Sequence, residues 1–147
     1  MREFSWVPGY ETAELLLPMR QTPGSAGYDL FAYDRCVVRK GSVQLVPTGV
    51  RVLLEEGEFL AIFARSSLAI KHHLMLANGV GVIDADYYGN ADNLGHIMIP
   101  LFNLGQNDVI IKRGERIAQG VFMPFVTVQG ETFVNRLRTG GFGSTDT

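Results

Sequence analysis

The sequence contains little cysteine and little charge. Its single cysteine, Cys36, cannot form an internal disulfide, and with no Cys or His close by along the chain it does not indicate a metal cluster. Charged residues make up 19% of the chain, and the formal net charge is -2. Because this charge attracts neither nucleic acid nor an anionic membrane surface, we expect neither as a partner, and any anionic ligand must be bound locally.

Long apolar runs are also absent. No stretch of the sequence approaches the ~18 residues that are needed to span a bilayer. Residues 1–10 contain charge and proline where a signal peptide would have an apolar segment. We therefore expect a cytoplasmic protein.

Two familiar nucleotide-binding motifs are missing as well. No glycine-rich segment ends in Gly-Lys-Ser or Gly-Lys-Thr, and Gly79-Val80-Gly81 lacks the third glycine of a dinucleotide-binding fingerprint. If a nucleotide binds, its phosphates must be held by other groups.

The pattern of apolar residues and glycines predicts mainly short strands. The 147 residues are 46% hydrophobic and fit one domain, residues 1–147. Seventeen of the 147 residues are glycine, about 12% against an average usage of about 7%. These glycines separate short runs that are rich in β-branched and aromatic residues. The one predicted helix is short, begins near Ser66 or Ser67 with a serine as N-cap, and runs through Lys71. The apolar runs predict strands of an all-β sandwich or barrel at residues 43–46, 50–54, 59–63, 97–102, 109–111 and 117–122.

Four polar segments interrupt this pattern, and the first lies at residues 26–30. Asp29 has apolar neighbours there, and an ionised carboxylate is costly in such a setting unless it faces solvent or a cation. It is a candidate partner for hydrated Mg²⁺, which keeps several waters and bridges substrate phosphates, so that one protein carboxylate is enough. An ordinary turn aspartate is the alternative.

The second segment is Arg65-Ser66-Ser67, at the start of the predicted helix. It combines a guanidinium, two hydroxyls and free N-terminal amides, a set of groups that suits a phosphate. A helix cap beside a surface arginine explains the same three residues equally well.

The third segment, residues 78–90, reads as a glycine-laced strand that leads into a turn, with Asp84 directly after Val82-Ile83. Glycines allow a flat ligand to approach the backbone closely. A carboxylate at the strand end could deprotonate a water beside a bound triphosphate, as a general base does. A simple hairpin turn is the alternative.

The fourth segment, residues 138–145, combines a cation, glycines, one aromatic ring and hydroxyls. Its apolar content is too low to anchor it to a core, so residues 136–147 are expected to form a mobile arm. Such an arm could close over a ligand, with Phe142 stacking on a base while Arg138 and Ser144 hold phosphate oxygens. A frayed terminus without function is the alternative.

Taken in order and together with residues 113–119, these four segments resemble the five motifs of the homotrimeric dUTPase family, over the chain from about Leu17 onward. Any one of them alone is a weak signal, whereas all five in sequence are specific. The matches are residues 17–20 and 22–30 for the first motif and its lead-in, 65–67 for the second, 81–84 with Tyr87 and 89–90 for the third, 113–119 for the fourth, and 140–145 for the fifth.

The resemblance implies a fold and an activity. The implied fold is a dUTPase-like (β-clip), jelly-roll-like β barrel that forms a homotrimer with a C-terminal arm and with three active sites at subunit interfaces. The implied activity is Mg²⁺-dependent hydrolysis of dUTP to dUMP and pyrophosphate. A phage-type relative would add a regulatory protein partner.

The resemblance also implies roles for single residues. Asp84 would activate the water that attacks the α-phosphorus, and Asp29 would bind Mg²⁺ through water. Tyr87 would pack under the deoxyribose and exclude a 2′-hydroxyl. The other residues expected at the substrate are Asn78, Gly81, Val82 and Ile83 for uracil, Arg65, Ser66, Ser67 and Gln119 for the phosphates, and Arg138, Phe142, Gly143 and Ser144 on the closing arm.

Some positions depart from the family pattern. Many relatives have one more residue between this arginine and the first glycine of the fifth motif, whereas Arg138 stands only two positions before Gly140. The contact to the γ-phosphate could therefore be made by Arg138 or by Arg136. Residues 91–96 make the third motif's turn longer than in the shortest family members, which indicates a hairpin extension near a subunit contact.

Two other functions fit the same scaffold. dCTP deaminase shares the fold, although the intact segment around Asp84 and the glycine-rich arm favour hydrolysis. The second is a binding or regulatory protein, for which the full set of polar segments is not needed.

Overall fold

The computed structural model describes residues 1–134 and 137–143. The only α-helix in these ranges, α1 (Ser66–His72), has seven residues, and no helix there is long and apolar enough to cross a membrane. A single 3₁₀ turn covers Ala85–Tyr87. The strands are β1 (Glu3–Trp6), β2 (Tyr28–Phe31), β3 (Cys36–Val38), β4 (Val43–Pro47), β5 (Val50–Leu53), β6 (Glu58–Phe63), β7 (Leu74–Leu76), β8 (Gly81–Ile83), β9 (Met98–Asn103), β10 (Val109–Ile111) and β11 (Arg116–Pro124).

The strands form four antiparallel sheets. A four-stranded sheet has the order β2-β11-β6-β8, and a three-stranded sheet has the order β4-β9-β7. The remaining strands form the pairs β1-β5 and β10-β3. Over the described ranges no sheet closes on itself, so the hydrogen bonding does not form one continuous barrel. The prediction of an all-β fold with one short helix is confirmed.

One hydrophobic core joins the sheets. Along β9 the side chains alternate, so that Ile99, Leu101 and Asn103 point inward while their neighbours are partly exposed. This period of two is what a half-buried strand requires. Each fully buried leucine or isoleucine contributes about 1.5–3 kcal/mol to folding. The largest fully buried side chains are Leu30, Leu60, Leu74, Leu76, Ile97, Ile99, Leu101, Ile111 and Ile117.

The predicted strands are found with shifts of no more than two residues at either end. The prediction of a serine N-cap for the helix is wrong. Arg65 caps α1 with extended backbone angles, and its side chain makes no capping hydrogen bond. Arg65, still extended after β6, takes the capping position, so the helix begins at Ser66, one residue earlier than a Ser66 cap would require.

A buried histidine connects two distant parts of the fold. His96 is 5% exposed, and its Nε2 accepts a hydrogen bond of 2.8 Å from the backbone N–H of Gly49. Gly49 has a φ of 76°, and a Cβ there would lie 2.5 Å from the ring of Tyr33, so only glycine fits. Burial lowers the pKa of His96, because the charged imidazolium would lose its hydration.

We predict that stability falls as the pH drops below about 6.5, the pKa of a histidine in the unfolded chain. The unfolded chain takes up a proton there, whereas His96 in the folded chain resists protonation. The His96→Gln variant accepts the same hydrogen bond without titrating, so it should lose less stability between about pH 7.5 and about pH 5.5. Urea unfolding at both pH values measures this, and equal losses in the two proteins would contradict it.

Candidate active site

A cavity of about 180 Å³ lies beside β8. Eight of the residues expected at the substrate line it, together with core side chains from β6, β7 and β9. Its volume is below the about 300–1,000 Å³ of a typical small-molecule site, so it has room for only part of a nucleotide. The eight residues are Asn78, Gly81, Val82, Ile83, Asp84, Tyr87, Arg138 and Phe142.

The edge strand β8 forms one wall of this cavity. β8 pairs only with β6 in the described sheet, so the backbone groups on its other edge are not used by the sheet. Gly81 is buried, and a Cβ there would lie 2.9 Å from Cβ of Ile62, so glycine is what lets the two strands approach. A strand edge offers alternating donors and acceptors to a ligand that presents a complementary pattern.

Asp84 follows β8 directly and forms an ion pair with the C-terminal segment. Its Oδ2 lies 2.6 Å from a guanidinium nitrogen of Arg138, and the same guanidinium donates to Asp86 at 2.8 Å. Burial raises the pKa of Asp84 above its usual value, Arg138 opposes that rise, and Asp86 adds to it. A carboxyl group with a raised pKa is a better proton acceptor than an ordinary aspartate.

The C-terminal segment lies across the mouth of the cavity. The Thr139 carbonyl accepts a hydrogen bond of 2.9 Å from the backbone N–H of Asp92, and Gly141 packs on Tyr87, where a Cβ would lie 2.8 Å from the ring. Phe142 lines the cavity with its side chain 64% exposed. Gly143 follows with a φ of 95° and does not line the cavity. Ser144 and Arg136 lie outside the described residues.

A second group of polar side chains lies in a separate groove on the same sheet. Arg65, Ser66, Gln119 and Asp29 line it. Ser67, one position further into α1, is half-buried and does not line the groove. Gln119 on β11 pairs in register with Asp29 on β2, which brings the first and fourth motifs side by side.

Asp29 holds the cations of this groove in place. It is 7% exposed, and its Oδ1 lies 3.6 Å from Nε of Arg65. Its Oδ2 lies 3.5 Å from Arg116 and accepts a hydrogen bond of 2.9 Å from Gln21. A buried carboxylate requires such partners. The two guanidinium groups are thereby fixed toward the groove.

Arg116 and Gln21 were not among the residues expected at the site. Arg116 lies within the fourth motif and three positions before Gln119, so its place in the motif was a usable signal. Gln21 lies in the lead-in to the first motif, eight positions before Asp29, and nothing in its sequence context indicates the contact.

Asp84 and Arg65 lie at opposite ends of β6. Ile83 is in register with Leu60 and Gly81 with Ile62, so Asp84 continues toward the start of β6. Arg65 follows the end of β6. Asp84 comes opposite Phe59, and the six residue steps from Phe59 to Arg65, at ~3.3 Å per step, separate the backbone of Asp84 from that of Arg65 by on the order of 20 Å. One chain therefore cannot bring Arg65 and Asp84 to the same phosphorus atom.

Known proteins resemble this chain over nearly all of its length. The family profile described as dUTPase matches residues 13–146. The deoxyuridine 5′-triphosphate nucleotidohydrolase of Lactococcus lactis is 44% identical over 146 residues, which cover 99% of this chain and 97% of that protein.

Two solved structures have the same fold. A dUTPase from Streptococcus mutans superposes with a TM-score of 0.83 at 45% identity, covering 86% of this chain and 98% of that one. A dUTPase variant from phage phi11 of Staphylococcus aureus, described as coordinating a structural Mg(II) ion, superposes with a TM-score of 0.75 at 20% identity. The superposition covers 92% of this chain and 98% of that one. The identity to the phage protein is low, so this second likeness concerns the fold alone.

We predict that Arg138→Gln raises the pKa of Asp84 further, because it removes the cation that stabilises the ionised carboxylate. A carbon-13 NMR titration of the Asp84 carboxyl group measures the change. Arg39→Gln, which removes the same charge from an exposed position, serves as the control and should leave this pKa where it is. An unchanged or lowered pKa in Arg138→Gln would show that the ion pair does not set it.

Proposed function

We infer that the cavity beside β8 is part of a nucleotide site, because this chain belongs to the dUTPase family. The chain hydrolyses dUTP to dUMP and pyrophosphate. This activity is supported by relatives that are named deoxyuridine 5′-triphosphate nucleotidohydrolases and that match nearly the whole chain. The dCTP deaminase alternative is not favoured, since the similar proteins at 40–44% identity are dUTP nucleotidohydrolases.

The cavity suits the uracil and the sugar. Uracil carries one N–H between two carbonyl groups, a pattern that the free edge of β8 can pair with, as an added strand would. Asn78 lies at the same wall, and Phe142 lies at the mouth, where its ring can stack on the base. Tyr87, 5% exposed, is the rigid wall on which the deoxyribose rests. The small volume of the cavity supports a position of the triphosphate outside it.

Asp84 is the proposed general base, and its position carries the proposal. Its carboxylate lies at the cavity wall next to where the α-phosphate must follow the sugar. It takes a proton from water while the water oxygen bonds to the α-phosphorus, and the bond to the bridging oxygen of the leaving pyrophosphate breaks. The raised pKa of Asp84 supports this role.

The polar groove is the proposed phosphate site. Arg65, Ser66 and Gln119 offer a guanidinium, a hydroxyl and an amide, and Arg116 adds a second cation. Hydrolysis of a triphosphate needs mainly positioning of the phosphates and neutralisation of their charge, which these groups provide. Ser67 is proposed only as a support for Ser66, since it does not line the groove.

Mg²⁺ is the proposed cofactor, held through water by Asp29. The described residues contain no group of three or more His, Cys, Asp or Glu side chains that could hold a metal by themselves. A single carboxylate, that of Asp29, is enough for Mg²⁺, which keeps several of its waters and is also bound by the substrate phosphates. When bound, the ion would neutralise charge on the phosphates, while Asp29 keeps Arg65 and Arg116 oriented.

A homotrimer is the proposed assembly, and the distance between Asp84 and Arg65 within one chain supports it. A nucleotide seated in the cavity of one copy would extend its phosphates to the groove of the next copy. Apolar side chains of the segment after β11 support this proposal, since Val126 and Val134 are 96% and 91% exposed in the single chain and need a partner surface. Three copies around a threefold axis would form three equal sites.

The C-terminal arm, residues 136–147, is proposed to be a mobile lid within a single domain. Within the described part of the arm, Arg138, Gly141 and Phe142 already line the cavity of their own chain. Arg138 or Arg136 would reach the γ-phosphate after nucleotide binding, and Ser144 would follow it. A cytoplasmic location and a regulatory partner of the phage type both stay predictions.

We predict that Asp84→Asn lowers turnover of dUTP by about 10²–10⁴-fold, because the amide cannot accept the proton of the attacking water. Pyrophosphate release from dUTP, compared with dTTP, UTP and dCTP, measures activity and selectivity. Asp86→Asn is the matched control, because it removes the neighbouring carboxylate of the same ion-pair cluster and should keep most of the turnover. Equal losses in the two variants, or equal turnover of all four nucleotides, would contradict the assignment.

We predict that two inactive variants restore each other when they are co-expressed. In mixed trimers of Asp84→Asn and Arg65→Gln chains, about a quarter of the sites combine an intact Asp84 from one copy with an intact Arg65 from the next. Turnover should therefore recover to a level that neither variant reaches alone. A mixture that stays as inactive as its components would show that each site uses a single chain.

A further inference from the structure

Residues 91–96, the extension after the third motif, have no part in the proposed chemistry, yet they pack directly behind Tyr87. The loop is tightly built. Leu94 has a φ of 62°, and a Cβ on Gly95 would lie 2.9 Å from the backbone of Tyr88. A loop held in so narrow a conformation presents its polar groups in fixed directions.

The phenol of Tyr87 is bound by this loop from two sides. Its O–H donates to the His96 carbonyl at 2.5 Å, and its oxygen accepts a hydrogen bond of 2.8 Å from the side-chain amide of Asn93. Neither His96 nor Asn93 lines the cavity in which the sugar is proposed to rest. Their two hydrogen bonds are the polar contacts that hold the phenol end of the ring.

Backbone donors fix the orientation of Asn93. Its Oδ1 accepts from the Gly95 N–H at 3.1 Å, and a backbone N–H can only donate. Asn90 is fixed in the same way, because its Oδ1 accepts from the backbone N–H groups of Asp92 and Asn93, each at 3.0 Å. Its Nδ2 then donates to Oδ1 of Asn93 at 2.7 Å. The amide N–H₂ of Asn93 therefore faces Tyr87, and no rotation of either amide satisfies the same partners.

We propose that Asn93 is a positioning residue that holds the Tyr87 ring against the sugar, so that the loop at residues 91–96 determines the preference for deoxyribose over ribose. This inference rests on the proposed function, in which Tyr87 is the wall under the sugar. A 2′-hydroxyl adds one non-hydrogen atom to the substrate. A ring that is free to tilt by a fraction of an ångström makes room for that atom, whereas a ring tethered through its phenol does not.

The loop also contacts the arm, and this second contact defines what the test must separate. The Asp92 N–H donates to the Thr139 carbonyl at 2.9 Å, and a Cβ on Gly140 would lie 2.8 Å from the Asp92 carboxylate. Disturbing the arm would slow the turnover of dUTP and UTP alike. Disturbing Tyr87 would change the ratio of the two.

The test is the Asn93→Asp variant, which keeps the side-chain shape and its acceptor but replaces the donor that faces Tyr87. We expect the ratio of kcat/KM for dUTP to kcat/KM for UTP to fall about tenfold, equivalent to about 1.4 kcal/mol. Asn107→Asp, the same change at an exposed position in the turn between β9 and β10, should leave the ratio intact. Thermal midpoints are recorded for each protein, because a purely structural role would lower the midpoint without changing the ratio.

Tyr87→Phe provides the second variant, since it keeps the ring and deletes the phenolic oxygen. It should lower the same ratio, and adding Asn93→Asp to it should lower the ratio no further, because both changes break one link. If Asn93→Asp does not fold, Tyr87→Phe decides the question alone. An unchanged ratio in the variant that decides, or full additivity in the double variant, would overturn the inference while dUTP turnover in the parent protein stands. A parent protein without dUTP turnover would refute the proposed function itself.

Discussion

The antiparallel register between β6 and β8 is the constraint on which the rest depends. With Ile83 opposite Leu60 and Gly81 opposite Ile62, the chain leaves β8 at one end of β6 and enters α1 at the other. The aspartate and the arginine of the proposed site follow those two ends. The fold thus keeps the aspartate and the arginine apart within one chain, and in the proposed trimer a second copy would bring them together. A shift of this register by one residue would also turn the side chains of β8 to the opposite face.

The charged side chains of both halves of the proposed site have partners of opposite charge within the single chain. Asp29 pairs with Arg65 and Arg116 in the groove, and Asp84 pairs with Arg138 at the cavity. Partly buried charges need such partners, because an unpaired one would destabilise the fold. The same pairs keep the guanidinium groups oriented before a triphosphate arrives, which reduces the ordering that binding must supply. The ion pairs that stabilise the fold are therefore the same ones that would orient the proposed phosphate-binding groups.

Local sequence patterns predicted the secondary-structure elements but did not predict the long-range contacts. The strand at residues 59–63 and the start of the helix near Ser66 follow from β-branched and apolar runs and from the polar residues that end them. The resemblance identified Asp84 and Arg65 as site residues but did not show that one chain holds them apart. The pairing of Arg138 with Asp84 joins positions 54 apart, and no local pattern encodes it. The proposed role of the loop behind Tyr87 rests on the directions of single hydrogen bonds, which no sequence pattern encodes.

The central claim, that one nucleotide is held by two copies of the chain, is tested most directly by a crystal structure with a slowly hydrolysed dUTP analogue. The account predicts that the uracil lies against β8 and Tyr87 of one copy, while the phosphates contact Arg65, Ser66 and Gln119 of another. Asp84 of the first copy would face a water beside the α-phosphorus. An analogue whose base and phosphates are both held by a single chain would contradict the account.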